Sequence, residues 1–227
     1  AHAAPQATDL DEVVVTSNRT AVTVNDALAP VEVIDAEQIR RSQARSLPDL
    51  LRGRAGISLS NQGGAGKLTT LFLRGAESDH VLVLVDGIRI GSATSGLASL
   101  QDLPVDLIDR VEIVRGPRSS LYGADAIGGV IQVFTRRDRE GFAPRVTVGA
   151  GSNGLNEFAT GFGGRSGRTW FGADYSHSHT QGINACNGTF DPVTFDGAGC
   201  FIAPGSQPDR DGYTRDALSV RGGIDFN

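Results

Sequence analysis

The sequence predicts two architectures in series: a compact α+β domain over residues 29–140, then antiparallel strands over 141–227 of about the length of tilted membrane strands. Three observations predict this. Helix caps and a wholly apolar strand alternate between Ala29 and Arg137. After about Pro144 the apolar residues switch to a period of two, each followed by a small or polar one. No run of about 18 apolar residues occurs, so the sequence holds no transmembrane helix, whereas membrane strands carry a far weaker hydropathy signal.

The elements follow in order. Residues 1–10 are poor in apolar side chains, and the segment 1–28 is expected to be disordered apart from the β-prone run Val13–Thr16. Asp35 with Gln38 forms a capping box that opens a helix over Ala36–Gln43. Ser46 with Asp49, and Pro48 in the first turn, opens a second helix that Gly53 can stop. Val81–Val85 is continuously apolar, as in a strand buried on both faces, and Asp86-Gly87 ends it. Val111–Val114 and Val130–Phe134 are two further strands. Beyond Pro144, turns are expected at Gly151–Gly154 and Gly163–Gly167. Phe171, Ala173 and Tyr175 share one face of a strand against Gly172, Asp174 and Ser176. In the last strand Leu218, Val220, Ile224 and Phe226 oppose Ser219, Arg221, Gly223 and Asp225. This alternation also fits a soluble antiparallel sandwich. About four strands cannot close even the smallest barrel, of roughly eight, so the chain is expected to be a fragment of a larger barrel or to take partner strands from elsewhere.

Composition narrows the function. A net charge of -5 lacks the basic stripe that nucleic acid requires. The chain has no methionine, and Ala1-His2-Ala3 has the small-x-small form of a signal-peptidase site. Cys186 and Cys200 lie in one polar loop, Thr180–Gly212, where a disulfide is favoured over two free thiols. The Gly-rich loop Asn61–Thr70 fails as a phosphate loop, because Asn61 stands where that motif needs glycine and Leu68 where it needs Ser or Thr. No Ser/His/Asp or paired-carboxylate motif suggests an enzyme. The same polar loop brings Asn184, Asp191, Asp196, Asp209 and Asp211 close in sequence, hard oxygens of the kind that suit calcium. His177 and His179 share a strand face, as a metal pair or as polar residues at a membrane rim.

Five segments together resemble the plug of TonB-dependent outer-membrane receptors. They are Asp11–Ser17, Phe72-Leu73-Arg74-Gly75, Val83-Leu84-Val85-Asp86-Gly87, Arg110–Pro117 and Leu121–Ile131. The likeness continues through Asp174–His179 and is nearest to the cobalamin receptors of that family; Ala55-Gly56-Ile57 departs from it, since the family has proline before the glycine. The resemblance implies an α+β plug domain followed by the first strands of a large plugged barrel. It implies a bacterial outer-membrane location, with the plug and N-terminus facing the periplasm and loop 180–212 extracellular. Function would be energised import of a cobalamin-like corrinoid, with a siderophore or other metal chelate as the alternative. A stand-alone periplasmic plug-like binding module is the second alternative. The implied partners are the TonB C-terminal domain, the transported chelate and outer-membrane lipid. Asp11, Glu12, Val13, Val14, Val15, Thr16 and Ser17 would be the box that TonB grips, an extended strand suited to adding to a sheet edge. Leu68, Thr70, Glu77, Thr94 and Ser95 would touch the ligand from two apical loops of the plug, the second spanning Gly91–Gly96. Asn184, Gln207, Asp209 and Asp211 would belong to a structural calcium site, with no cofactor required for transport.

Overall fold

A computed structural model describes residues 14–15, 22–23, 30–92, 96–136, 141–184, 189–190, 197–198 and 210–226. Near the N-terminus β1 (Val14–Val15) pairs antiparallel with β2 (Val22–Thr23) in a ladder of its own, separate from the main sheet. Then come β3 (Val31–Ile34), α1 (Ala36–Ser42), α2 (Leu47–Leu51) and the hairpin β4 (Ile57–Asn61) and β5 (Thr69–Leu73). They are followed by β6 (Val81–Val85), β7 (Ile88–Arg89), β8 (Ile108–Arg115), the short α3 (Ser119–Tyr122) and β9 (Gly129–Thr135). The main sheet has the order β3-β8-β9-β6-β7, with β6 and β9 parallel and every other pair antiparallel.

Both helices begin where the sequence caps them. The Gln38 amide donates to Asp35 Oδ1 at 2.7 Å, and the Asp49 amide to Ser46 Oγ at 3.4 Å. Their apolar residues Ile39, Leu47, Leu50 and Leu51 close over one sheet face, formed by Ile34, Val111, Ile113, Ile131, Val133, Val81 and Val83. The opposite face of β6, β8 and β9 packs Leu82, Leu84, Val114 and Val130 against Ala126 and Tyr122. Strand β6 is therefore covered on both sides, which is why its sequence is apolar throughout. Asp86 and Gly87 both adopt left-handed φ and turn β6 into β7, while Asp86 Oδ1 accepts from the Thr135 amide at 2.9 Å.

From Gly141 the chain forms a four-stranded antiparallel meander: β10 (Gly141–Gly151), β11 (Leu155–Ser166) and β12 (Thr169–Thr180), then, beyond the two-residue strands β13 (Thr189–Phe190) and β14 (Gly197–Ala198), β15 (Tyr213–Ile224). Pro144 sits in β10 opposite Phe162 of β11. The turn expected at Gly163–Gly167 is smaller than the glycines suggest. Gly163–Arg165 remain in β11 with partners on both sides, Ser166 pairs with Thr169, and the chain reverses at Gly167-Arg168. These glycines serve cross-strand packing: the Phe171 ring lies over Gly164.

The register sorts the wall into two unlike faces. Phe142, Val146, Val148, Phe158, Phe162, Phe171, Tyr175, Leu218, Val220 and Ile224 point outward, Val148 74% and Leu218 75% exposed. The reverse face carries Asp174, Ser176, Ser178 and Thr180, all buried, and lies toward the α+β domain. Apolar outside and polar within is the arrangement of a membrane-barrel wall, the inverse of a soluble sandwich.

Candidate functional site

The hairpin β4–β5 points its Gly-rich tip toward the wall, at the end where β12 runs into the long loop. Local hydrogen bonds shape the tip. Asn61 Nδ2 donates to Thr69 Oγ1 at 2.8 Å, its Oδ1 accepts from the Gly63 amide at 2.9 Å, and the Gln62 amide reaches the Leu68 carbonyl at 3.1 Å. The loop thus joins two strands and not a strand to a helix, in keeping with its failure as a phosphate loop.

Four contacts fasten the plug to the wall. Lys67 Nζ lies 2.8 Å from Asp211 Oδ1. Gly66, at φ +75°, lies flat against the Tyr213 ring, where any Cβ would fall far inside van der Waals contact. The Tyr213 hydroxyl donates to Asp102 Oδ1 at 2.9 Å, and Arg215 Nη1 reaches the Gln101 carbonyl at 3.5 Å. Between the hairpin tip, the start of α2 and the wall lies a cavity of about 530 Å³.

Of the ligand residues expected from the sequence, Leu68 is 39% exposed at the tip and Thr70 is half-buried two residues on, its Oγ1 reaching the Ser60 carbonyl at 3.4 Å. Glu77 is exposed, in the segment that turns back along β5 after the Leu73–Ala76 bridge. None of these three lines the 530 Å³ cavity. Thr70 instead shares a small niche with Leu97 and Ala98, which brings the end of the second apical loop beside β5. Thr94 and Ser95 lie outside the described residues, as do Cys186, Cys200, Gln207 and Asp209. So do Asp11, Glu12, Val13, Thr16 and Ser17, leaving Val14 and Val15 of the coupling segment. Of the calcium oxygens, Asn184 and Asp211 are described: the Asp211 amide donates to the carbonyl of Ile183, next to Asn184, at 3.0 Å, and the Asp211 carboxylate faces the Lys67 ammonium. His177 and His179 point outward and engage β15, His177 Nδ1 lying 2.8 Å from Asp216 Oδ1 and His179 Nδ1 2.8 Å from Thr214 Oγ1. Among the described residues no cluster of three or more His, Cys, Asp or Glu is placed to hold a metal.

Two charge clusters escaped sequence reasoning. On the inner wall face Asp174 is 5% exposed and bridges Arg145 Nη2 at 2.7 Å and Arg221 Nη2 at 2.6 Å. Gly161 opposite it leaves the space, since a Cβ there would collide with the carboxylate. In the plug, Glu32 accepts from Arg54 at 2.7 Å and from Arg115, whose Nε also caps the Ala55 carbonyl at 2.9 Å. Burial alone would raise the Glu32 carboxyl, but the hydrogen bonds and charges of Arg115 and Arg54 outweigh it and hold the group below the usual carboxylate range. Strand parity signalled the wall residues: Tyr213 and Arg215 fall on the face opposite Leu218 and Val220.

A family model described as the TonB-dependent receptor plug domain matches residues 23–130. Among solved structures, the ferric yersiniabactin uptake receptor of Yersinia pestis superposes with a TM-score of 0.61 at 20% identity, over 86% of this chain and 28% of that one. A variant of the ferric enterobactin receptor of Pseudomonas aeruginosa, in complex with enterobactin, gives 0.63 at 21%, over 87% and 31%. The ferripyoverdine receptor of the Pseudomonas aeruginosa outer membrane, bound to ferripyoverdine, gives 0.63 at 18%, over 75% and 23%. The chain therefore spans less than a third of the length of these structures.

Proposed function

We propose that the chain, whose residues 23–130 match the plug-domain model of TonB-dependent receptors and whose later strands share the fold of the start of such a barrel, serves an outer-membrane importer of ferric chelates, energised from the periplasmic side. Such receptors are not enzymes. The observation that carries the reading is the wall: an apolar outer face for lipid, a polar inner face against the plug, and a plug apex fastened to the loop end by Lys67–Asp211 and Tyr213–Asp102. The named ligands of the matched receptors, enterobactin, yersiniabactin and pyoverdine, favour a siderophore over the corrinoid that the motifs suggested.

In this mechanism the chelate settles on the β4–β5 tip, with Leu68 and Thr70 beneath it and Glu77 and the Gly91–Gly96 loop alongside. Occupancy shifts the population in which Asp11–Ser17 is offered outward. Pairing of that segment with a sheet edge of TonB would compete with its own β1–β2 ladder, because Val14 and Val15 already use main-chain groups there. The test is a titration of the intact protein in detergent with ferric enterobactin and with cyanocobalamin, read by tryptophan fluorescence, beside uptake of radiolabelled iron by cells. Saturable binding of the ferric chelate, with uptake abolished but binding retained in Val14→Pro, supports the proposal. Binding of cyanocobalamin alone overturns it.

A further inference from the structure

The outer face of the wall changes character toward the long loop. Along β12 and β15, Phe171, Val220 and Leu218 give way to Tyr175, His177, His179, Asp216 and Thr214, all on one face by strand parity. His177 stands directly opposite Asp216, and His179 opposite Thr214.

Both rings are tied to β15 through the same nitrogen. His177 Nδ1 lies 2.8 Å from Asp216 Oδ1, and His179 Nδ1 lies 2.8 Å from Thr214 Oγ1. An ionised carboxylate only accepts, so His177 carries a proton on Nδ1, and in the neutral ring the Nε2 lone pair is free. The Tyr175 hydroxyl donates to the same Asp216 oxygen at 2.6 Å and holds the carboxylate beside the ring. The Thr214 hydroxyl can accept from His179 Nδ1–H in the same way. Metal-ligating histidines are backed like this: the second ring nitrogen donates to an oxygen that fixes the tautomer and makes the ligating nitrogen more basic.

The strand supplies the spacing. Same-face residues two apart lie about 6.6–6.8 Å from each other. A metal with nitrogen bonds of about 2.0–2.1 Å joins both Nε2 atoms once the rings incline toward each other. The His177 side chain is 37% exposed and His179 is exposed, so approach from outside is open. The Asp216 charge beside the pair favours a cation over an anion such as phosphate. Imidazole nitrogens suit zinc, copper and nickel, whereas calcium and magnesium take oxygens.

We infer that His177 and His179 form a binding site for a divalent transition-metal ion on the outer face of the wall. The Nε2 atom of each is the ligand, Asp216 and Thr214 are the positioning residues behind them, and water fills the open positions. The pair shares no residue with the loop oxygens read as calcium ligands and does not depend on which chelate is transported.

Isothermal titration with Zn2+ of the intact protein, folded in detergent and stripped of metal by a chelator, tests this. The unaltered protein should bind one equivalent that the His177→Asn, His179→Asn double variant lacks and that His80→Asn retains. Asp216→Ala, which removes neither ligand, should weaken that equivalent by about 10–100-fold. With Cu2+ as the probe, electron paramagnetic resonance should show coupling to two imidazole nitrogens that the double variant loses. Circular dichroism checks that each variant keeps the native strand signal. Identical Zn2+ binding by the parent and the double variant would overturn the inference, since the ions would then sit on other groups. So would binding indifferent to Asp216→Ala, or Ca2+ binding to the pair as tightly as Zn2+.

Discussion

Replacing Asp174 with asparagine should be among the most damaging single changes in the wall. The carboxylate is 5% exposed and lies 2.7 Å from Arg145 and 2.6 Å from Arg221, whose side chains are 23% and 11% exposed. Asparagine keeps the shape and can still accept one hydrogen bond through its carbonyl. Its amide, however, turns donors toward a second guanidinium, and two cations on a largely buried face lose the one carboxylate they share. Removing one partner from a buried ion pair costs about 3–5 kcal/mol. The residual hydrogen bond and the partial exposure of Arg145 argue for the lower end, about 3 kcal/mol. The same reasoning makes the triple variant Arg145→Met, Asp174→Leu, Arg221→Met much less harmful than Asp174→Asn, because the carboxylate and its two guanidiniums leave together. The assay is urea unfolding of the intact protein in phospholipid vesicles, followed by tryptophan fluorescence, with the midpoint shift converted through the common slope. A single variant within about 0.5 kcal/mol of the parent, the range of an ordinary surface change, would refute the reasoning. A triple variant at least as unstable as the single one would refute it too.

Two further outcomes follow from the plug. Gly66→Ala should cost roughly 2–3 kcal/mol, combining a left-handed backbone with displacement of the Tyr213 ring and loss of its hydrogen bond to Asp102; the same unfolding curves measure it, and an unchanged midpoint would show that the tip does not press on the wall. Glu32→Gln should be destabilising at neutral pH. Because the folded-state carboxyl lies below its unfolded value of 4.5, Glu32 contributes its full stability above that value and loses it as pH falls through the lowered folded value. The gap between parent and variant should therefore persist at neutral pH and close only in acid; a gap that widened on acidification would contradict the sign.

Much of this architecture is legible along the chain because its information is local. Capping by Asp35 and Ser46 sets both helix starts, and a wholly apolar β6 declares burial on two faces. Period-two alternation assigns Leu218 and Val220 to one wall face and Arg221 to the other, since a strand's side chains alternate whatever lies beside it. The Gly-rich loop Asn61–Thr70 is likewise local, whereas Leu68 and Thr70 were singled out by the family resemblance.

Register and layer packing were beyond such reading. Asp174 meets Arg145 and Arg221 across three strands, 29 and 47 residues away, and no motif links them until the strands pair. Glycines at 163 and 164 look like a turn in sequence, yet they sit within a ladder because small residues also make room for cross-strand neighbours such as Phe171. Whether the polar face of the wall met water or another domain was open until the β4–β5 tip was seen against Tyr213. The sequence alone determined the elements and which face of each is apolar, because those depend on neighbours a few residues apart. Tertiary structure alone decided which charges share a low-dielectric space and where a cavity is left, because those depend on residues that only folding brings together.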